Sequence, residues 1–184
     1  MKKKTVFPLI VMLCFLLMTG SLADEAAPLA SYVVRNGARQ ASFSYPEGWY
    51  IFDDGSLGVF VYHDAASYVA VSIPGRGMSG TEKLRENIGD DRKILTLSND
   101  ICVFAVHGDD NHQRPHADVV CVGVNLPDGT GILANADCPA GQTAIYDVLL
   151  CIVDSLTDAA VLQEWLENEW MPFVLADSSP GMQE

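Results

Sequence analysis

The chain has 184 residues, 49% of them hydrophobic, and carries 24 Asp and Glu against 11 Lys and Arg, a formal net charge of −13. The hydrophobic share excludes general disorder, and the length suits one domain with its own core. The acidic balance excludes nucleic acid and anionic lipid as partners, because both carry charge of the same sign.

The chain opens MKKKTVFPLIVMLCFLLMTGSLA, with Lys2, Lys3 and Lys4, an apolar run over 6–18, and small Ser21 and Ala23 before Asp24. This is the pattern of a cleavable secretory signal peptide over 1–23, cut after Ala23. The apolar run is shorter than the roughly 20 residues a spanning helix needs. No membrane insertion is therefore expected after cleavage. Cys14 sits inside the run, a poor place for a lipoprotein cut. The expected product is secreted or extracytoplasmic, with eight Lys and Arg left against 24 acids, a charge of −16 that serves solubility.

Four cysteines follow: Cys102, Cys121, Cys138 and Cys151. An even number in an exported chain points to two disulfides, of three possible connectivities. Four buried thiols are the alternative.

After a lead over 24–41 that contains the first strand, SYVVRNGARQASFSY reads as two strands around Asn36 and Gly37. WYIF, GVFVYH and SYVAVSI are short, aromatic or β-branched, and separated by turn-forming breaks, so they extend a meander. SGTEKLRENIG reads as a short helix, with Ser79 and Glu82 at capping-box spacing and Gly89 at its end. RKILTL, ICVFAVH, ADVVCVGVNL and GILANADC are four more strands in successive hairpins. From Thr143 the period changes to helical, with Ile145, Val148, Leu149, Ile152, Val153 and Leu156 on one face. A second helix starts near Asp158, carries Val161, Leu162, Trp165, Leu166 and Trp170, and is expected to stop before Pro172. The tail over 175–184 is expected to fray.

Strands in a run with helices between and after them describe an α+β domain: a mainly antiparallel β-sheet with covering helices. FSYPEGWYIF (43–52) and CIVDSL (151–156) resemble the Tyr-Pro-x-Gly-Trp start and the end of the long sheet-covering helix in the PsbP/Mog-like superfamily. The resemblance covers 42–156 and leaves an extra C-terminal helix over 157–174. It implies an α/β/α sandwich used for binding, as in exported bacterial members of unknown function. It brings no catalytic motif.

Three places could carry chemistry. PGRGMSG (74–80) satisfies G-x-G-x-x-G between a strand and a helix, the spacing of a dinucleotide pyrophosphate site. The helix is short and the strands around it read antiparallel, so a glycine-rich crossing loop is the better account and no cofactor-binding residue is assigned. Ser79 is not on a nucleophile elbow and Ser155 lies within the terminal helix signature. Strand alternation sends Cys102 and His107 to opposite faces. No catalytic residues are assigned.

The third place is HGDDNHQRPH (107–116). A hairpin register that sets Cys102 across from Cys121 also sets His107 across from His116, with Cβ atoms about 4.5–5.5 Å apart. His112, Asp118 or Asp109 then completes a zinc or copper site. A solvated hairpin loop is the alternative. The same register gives a Cys102–Cys121 disulfide and leaves Cys138 with Cys151.

The expectation is an exported, non-enzymatic binding or accessory protein, monomeric, with a protein or envelope component as partner. Trp49, Tyr50, Trp165 and Trp170 form its candidate interaction surface. An extracytoplasmic metal-binding protein using the histidine hairpin is the other reading.

Overall fold

The computed structural model describes residues 28–177 except 56, 76, 90, 91 and 109–115. The expected signal peptide, the tail beyond 177, and His112 and Asp109 lie outside the described residues.

β1 (Leu29–Asn36) and β2 (Arg39–Pro46) form an antiparallel hairpin that pairs Asn36 with Arg39. Its two-residue loop is Gly37 and Ala38, one position later than expected. Gly37, at φ 63°, supplies the positive φ that such a loop takes at its first position. The hairpin is a sheet of its own and does not continue into the following strands.

Among the described residues, the main sheet holds seven strands. They are β3 (Tyr50–Asp53), β4 (Val59–Tyr62), β5 (Tyr68–Ser72), β6 (Leu95–Thr96), β7 (Ile101–Val106), β8 (Ala117–Asn125) and β9 (Gly131–Pro139). Their order is β3-β4-β5-β9-β8-β7-β6, antiparallel throughout. Helix α1 (Gly80–Ile88) carries the chain from β5, in the middle of the sheet, to β6 at the far edge. The second meander then returns until β9 pairs with β5.

Alternation along the strands decides what each face buries. Val59, Val61, Val69 and Val71 share one face with Val120, Val122, Ile132 and Ala134. The β1–β2 hairpin covers it with Val34 and Phe43, and α2 (Ala144–Asp154) with Tyr146, Leu149 and Ile152. Asn36 Nδ2 donates to the Ile73 carbonyl at 2.7 Å, and the Ser44 N–H to Ser155 Oγ at 2.8 Å, fixing the hairpin between sheet and helix. Each large aliphatic side chain buried here contributes roughly 1.5–3 kcal/mol. The fold is thus α+β, a mainly antiparallel sheet with covering helices.

The last helix runs past its expected stop. α3 (Ala160–Trp165) leads into a π-helical turn, Leu166–Trp170, and then α4 (Met171–Asp177), with Pro172 inside. Proline lacks an N–H and clashes with the preceding turn of an α-helix. Here the wider turn immediately before it, in which the Met171 N–H bonds to the Leu166 carbonyl, takes up that mismatch.

α1 covers part of the opposite face, packing Leu84 with Cys102, Phe104, Cys121 and Leu133, with Arg92 and Ile94 of the following segment beside it. Its start is a backbone-on-backbone contact. A Cβ on Gly80 would run into the carbonyls of Val124 and Ile132, and one on Gly123 would lie 2.6 Å from the Gly80 carbonyl oxygen. The Gly80 N–H is taken by Asn125 Oδ1 at 2.9 Å. Gly80, the last glycine of the G-x-G-x-x-G spacing, therefore seats the helix on the sheet and leaves no room for a pyrophosphate.

Ser79 and Glu82 form the expected capping box, Ser79 Oγ accepting from the Glu82 N–H at 3.1 Å and Glu82 Oε2 from the Ser79 N–H at 2.9 Å. The Ser79 N–H, with its hydroxyl, holds the Glu82 carboxyl below its usual 4.5. The box therefore stabilises the fold fully above about pH 4.5 and loses its contribution as pH falls through the lowered value. In Glu82→Gln, the acid limb of the stability profile should be shallower over that window; an unchanged limb would refute the assignment.

Gly80→Ala or Gly123→Ala should cost at least about 2 kcal/mol by urea unfolding. Gly75→Ala, whose Cβ would meet open space, should stay within about 0.5 kcal/mol. Equal losses at Gly75 and Gly80 would show that the close approach does not matter.

Candidate ligand-binding trough

The histidine stretch folds in a register two residues away from the one expected. β7 and β8 pair Cys102 with Gly123 and Phe104 with Cys121, so Cys102 and Cys121 share a face but are not opposite one another. The register from which the Cys102–Cys121 disulfide was expected is therefore not the one the strands adopt. None of the four cysteines is in a disulfide. Cys138 Sγ donates to the Gln142 carbonyl at 3.1 Å, and Cys151 Sγ to the Ser44 carbonyl at 3.6 Å. The two thiols are engaged on different segments.

The same offset sets Asp118, not His116, across from His107. His107 Nδ1 and Asp118 Oδ1 are 2.5 Å apart. Asp118 is fully buried and also accepts from the Gly108 N–H at 3.0 Å and the Gly141 N–H at 2.8 Å. It thus ties the base of the hairpin to the loop before α2. The His107 ring stands edge-on to Phe173 and Trp170, with centroids 5.3 and 6.4 Å away. His116 is exposed at φ 65°, before β8 begins. Of the four expected metal ligands, the structure joins His107 and Asp118, places His116 on the exposed turn before β8, and leaves His112 outside the described residues. Among the described residues no three His, Cys, Asp or Glu side chains converge as a metal site would need.

The expected interaction surface divides in the same way. Trp165 and Trp170 are each 7% exposed and stack at 5.9 Å, so they are core side chains. Five residues apart, they are brought to one side by the π-helical turn between them. Trp49 is half-buried against His63. Tyr50 is 61% exposed.

Tyr50 belongs to a larger feature. On the sheet face that α1 leaves uncovered, Tyr50 packs on Tyr62 at 5.8 Å, Phe52 on Phe60 at 6.2 Å, and Phe60 on Tyr68 at 5.6 Å. Five aromatic rings thus cross three strands, and among the described residues no helix or second sheet lies over them. Phe52 is 54% exposed and Leu57, at their edge, 68%. The signal lies in the sequence: Tyr50, Phe52, Phe60, Tyr62 and Tyr68 fall on even positions while Ile51, Val59, Val61, Val69 and Val71 fall on odd ones, so each strand turns these rings to the same side.

Between these rings and α1 the face sinks into a cavity of about 460 Å³. Phe60 and Tyr68 form one wall, Leu84 and Ile88 of α1 the other, and Asn135 and Asp137 of β9 lie on the floor. A shallower hollow of about 260 Å³ adjoins it across Phe60 and Tyr68 and has Asp64 at its rim. Tyr68 Oη donates to Asp137 Oδ2 at 3.1 Å. Asn135 Oδ1 is buried and has no hydrogen-bond partner among the described residues. Burial pushes the Cys121 thiol, also on the floor, up to about 12, and the neighbouring Asp137 carboxylate adds to it. That sulfur stays protonated at neutral pH and is no nucleophile.

Compared with protein-family models, with curated proteins and with solved structures, the chain matches none.

Asp118→Ala should destabilise the fold by about 3 kcal/mol in urea unfolding, because the buried Gly108 N–H, the half-buried Gly141 N–H and His107 lose their acceptor. His107→Ala should cost clearly less, since both backbone donors keep theirs. If the two variants were equally stable, Asp118 would not be the tie described here.

Proposed function

We propose that this chain is an exported, non-enzymatic binding protein that takes its ligand in the aromatic trough on the open face of the sheet. One observation carries the reading: a row of five aromatic side chains, Tyr50 and Phe52 exposed and Phe60, Tyr62 and Tyr68 half-buried, runs beside a cavity of about 460 Å³ whose floor holds buried polar groups. Apolar walls with a few placed polar atoms, in a volume of this size, are the usual make-up of a small-ligand site. An uncovered aromatic row costs solubility unless something occupies it.

The non-enzymatic part draws support from the engagement of the hydroxyls considered as nucleophiles. Ser79 Oγ is held in the capping box, while Ser155 Oγ donates to the Ile152 carbonyl at 2.7 Å and accepts from Ser44. Export rests on the signal-like start of the sequence. The resemblance to PsbP/Mog-like proteins points the same way, towards binding on a sheet-based scaffold.

The trough can be tested by screening neutral, cationic and anionic fragments against ¹⁵N-labelled protein by NMR. Binding fragments should shift resonances of Phe60, Tyr68 and Val119, and Ala70→Phe, which fills the cavity, should abolish those shifts without lowering stability by more than about 1 kcal/mol. Shifts that map elsewhere, or that survive Ala70→Phe, would refute the trough as the working surface.

A further inference from the structure

The strand register sorts the side chains of the trough into two rows that run across the sheet. Tyr50, Tyr62, Tyr68 and Asp137 are successive cross-strand partners, and so are Phe52, Phe60, Ala70 and Asn135. Each row begins on rings at the β3 edge and ends on a polar side chain of β9. Ala70 is the small member of the second row, and the cavity of about 460 Å³ opens there. Phe60 and Tyr68, their planes 64° apart, form a ridge between this cavity and the hollow of about 260 Å³ lined by Phe52, Tyr62 and Asp64. The trough is therefore two ring-lined compartments side by side.

Its polar groups favour an uncharged occupant. Both carboxylates are already held within the fold, Asp137 Oδ2 by the Tyr68 hydroxyl at 3.1 Å and Asp64 Oδ1 by the N–H groups of Ala66 and Ser67 at 2.8 and 2.9 Å. No Lys, Arg or His is among the described residues that line either compartment, so an anion finds no counter-charge there. The other polar side chains of the lining are neutral: the Tyr62 hydroxyl and the amides of Asn87 and Asn135, which offer donors and acceptors alike. Asn135 Oδ1 has no hydrogen-bond partner among the described residues. A wholly apolar ligand would take these groups out of water and replace none of their hydrogen bonds. A pyranose ring answers both features. Its C–H groups carry slight positive charge and lie against the negative face of an aromatic ring, while the hydroxyls at its rim donate and accept.

We infer that the trough binds a neutral glycan, one sugar unit in the cavity and the next in the hollow, on either side of the Phe60–Tyr68 ridge, with hydroxyls of the first on the Asn87 and Asn135 amides. This rests on the trough being the binding surface and adds the chemical class of its occupant. A free oligosaccharide and the chain of a polysaccharide share that chemistry.

The test is a chemical-shift titration of the folded protein with cellotetraose, maltotetraose, mannotetraose, galactotetraose and tetra-N-acetylchitotetraose, each beside its own monosaccharide. Tetragalacturonate, the chitosan tetramer, 1-hexanol and indole are the charged and apolar comparisons. At least one neutral tetrasaccharide should bind, shifting Phe60, Tyr68 and Val119, and should do so about tenfold more tightly than its monosaccharide because it fills two compartments. Phe52→Ala, which removes an exposed ring of the hollow alone, should weaken that tetrasaccharide roughly threefold to tenfold and leave the monosaccharide unchanged. Asn135→Leu, which keeps the side-chain volume, should weaken both sugars by a similar factor and leave indole unaffected. Co-sedimentation with the insoluble polysaccharide of the same linkage would assign the source to a polymer, and its absence to free oligosaccharides; both outcomes support the glycan.

If no neutral tetrasaccharide binds while indole or 1-hexanol does, in a manner lost in Ala70→Phe, the glycan is overturned and the trough stands. A charged tetramer that binds more tightly than every neutral one overturns the neutrality of the occupant. A monosaccharide that matches its tetrasaccharide, or sugar binding unchanged in both Phe52→Ala and Asn135→Leu, overturns the two-compartment seating. If no probe binds, or binding is insensitive to Ala70→Phe, the trough and the inference fall together.

Discussion

The contact of Gly80 with Gly123 and Gly131 governs what the molecule leaves exposed. Three residues without a Cβ let the start of α1 rest directly on the backbones of β8 and β9, where any side chain would force the helix away. Nine residues of α-helix reach only about 13 Å, so a helix seated there shelters the β7, β8 and β9 side of the face and no more. The aromatic side of strands β3 to β5 lies beyond the reach of α1 because that helix is anchored elsewhere. The same seating brings Leu84 and Ile88 alongside Tyr68 and Phe60, and the gap between them is the cavity.

The two faces of one sheet therefore have different physical jobs. One is closed by the hairpin, α2 and the terminal helix, with aliphatic side chains from odd positions of β4 and β5 against even positions of β8 and β9. The other is half closed, and it gathers the aromatic rings together with Asn135, Asp137 and the protonated Cys121 thiol. Stability is concentrated in the first and chemistry in the second. The aromatic and polar groups of the trough therefore sit on a scaffold whose main core does not depend on them.

What the sequence disclosed tracks the range of the interactions involved. The capping box of Ser79 and Glu82, the helical spacing from Ile145 to Leu156 and the run of strands are local, and each was legible. The alternation that lines up Tyr50, Phe52, Phe60, Tyr62 and Tyr68 was present in the letters too. Its meaning was hidden, because whether those rings are covered depends on glycines at 80, 123 and 131. The histidine hairpin failed for a related reason. Its register was fixed by pairing cysteines, whereas in the fold Asp118 is placed by N–H groups of Gly108 and Gly141, one on each side of it in the chain and far from it in sequence. Trp165 and Trp170 are buried because the helix that bears them lies on the sheet, a tertiary fact that their spacing allowed but did not require.

The π-helical turn at Leu166–Trp170 has an angular consequence. Successive residues of an α-helix are about 100° apart around the axis, so the one extra residue in that turn sets the rotational phase of everything after it. With it, Trp170 and Val174 face the core while Phe173 and Leu175 are turned outward, 53% and 50% exposed. Excising a single residue between 166 and 170 would rewind the turn and rotate α4 by about 100°. Phe173 would leave the His107 ring and Val174 the core. The last helix is thus clocked by an insertion, and its pairing with the base of the histidine hairpin is a matter of phase as much as of composition.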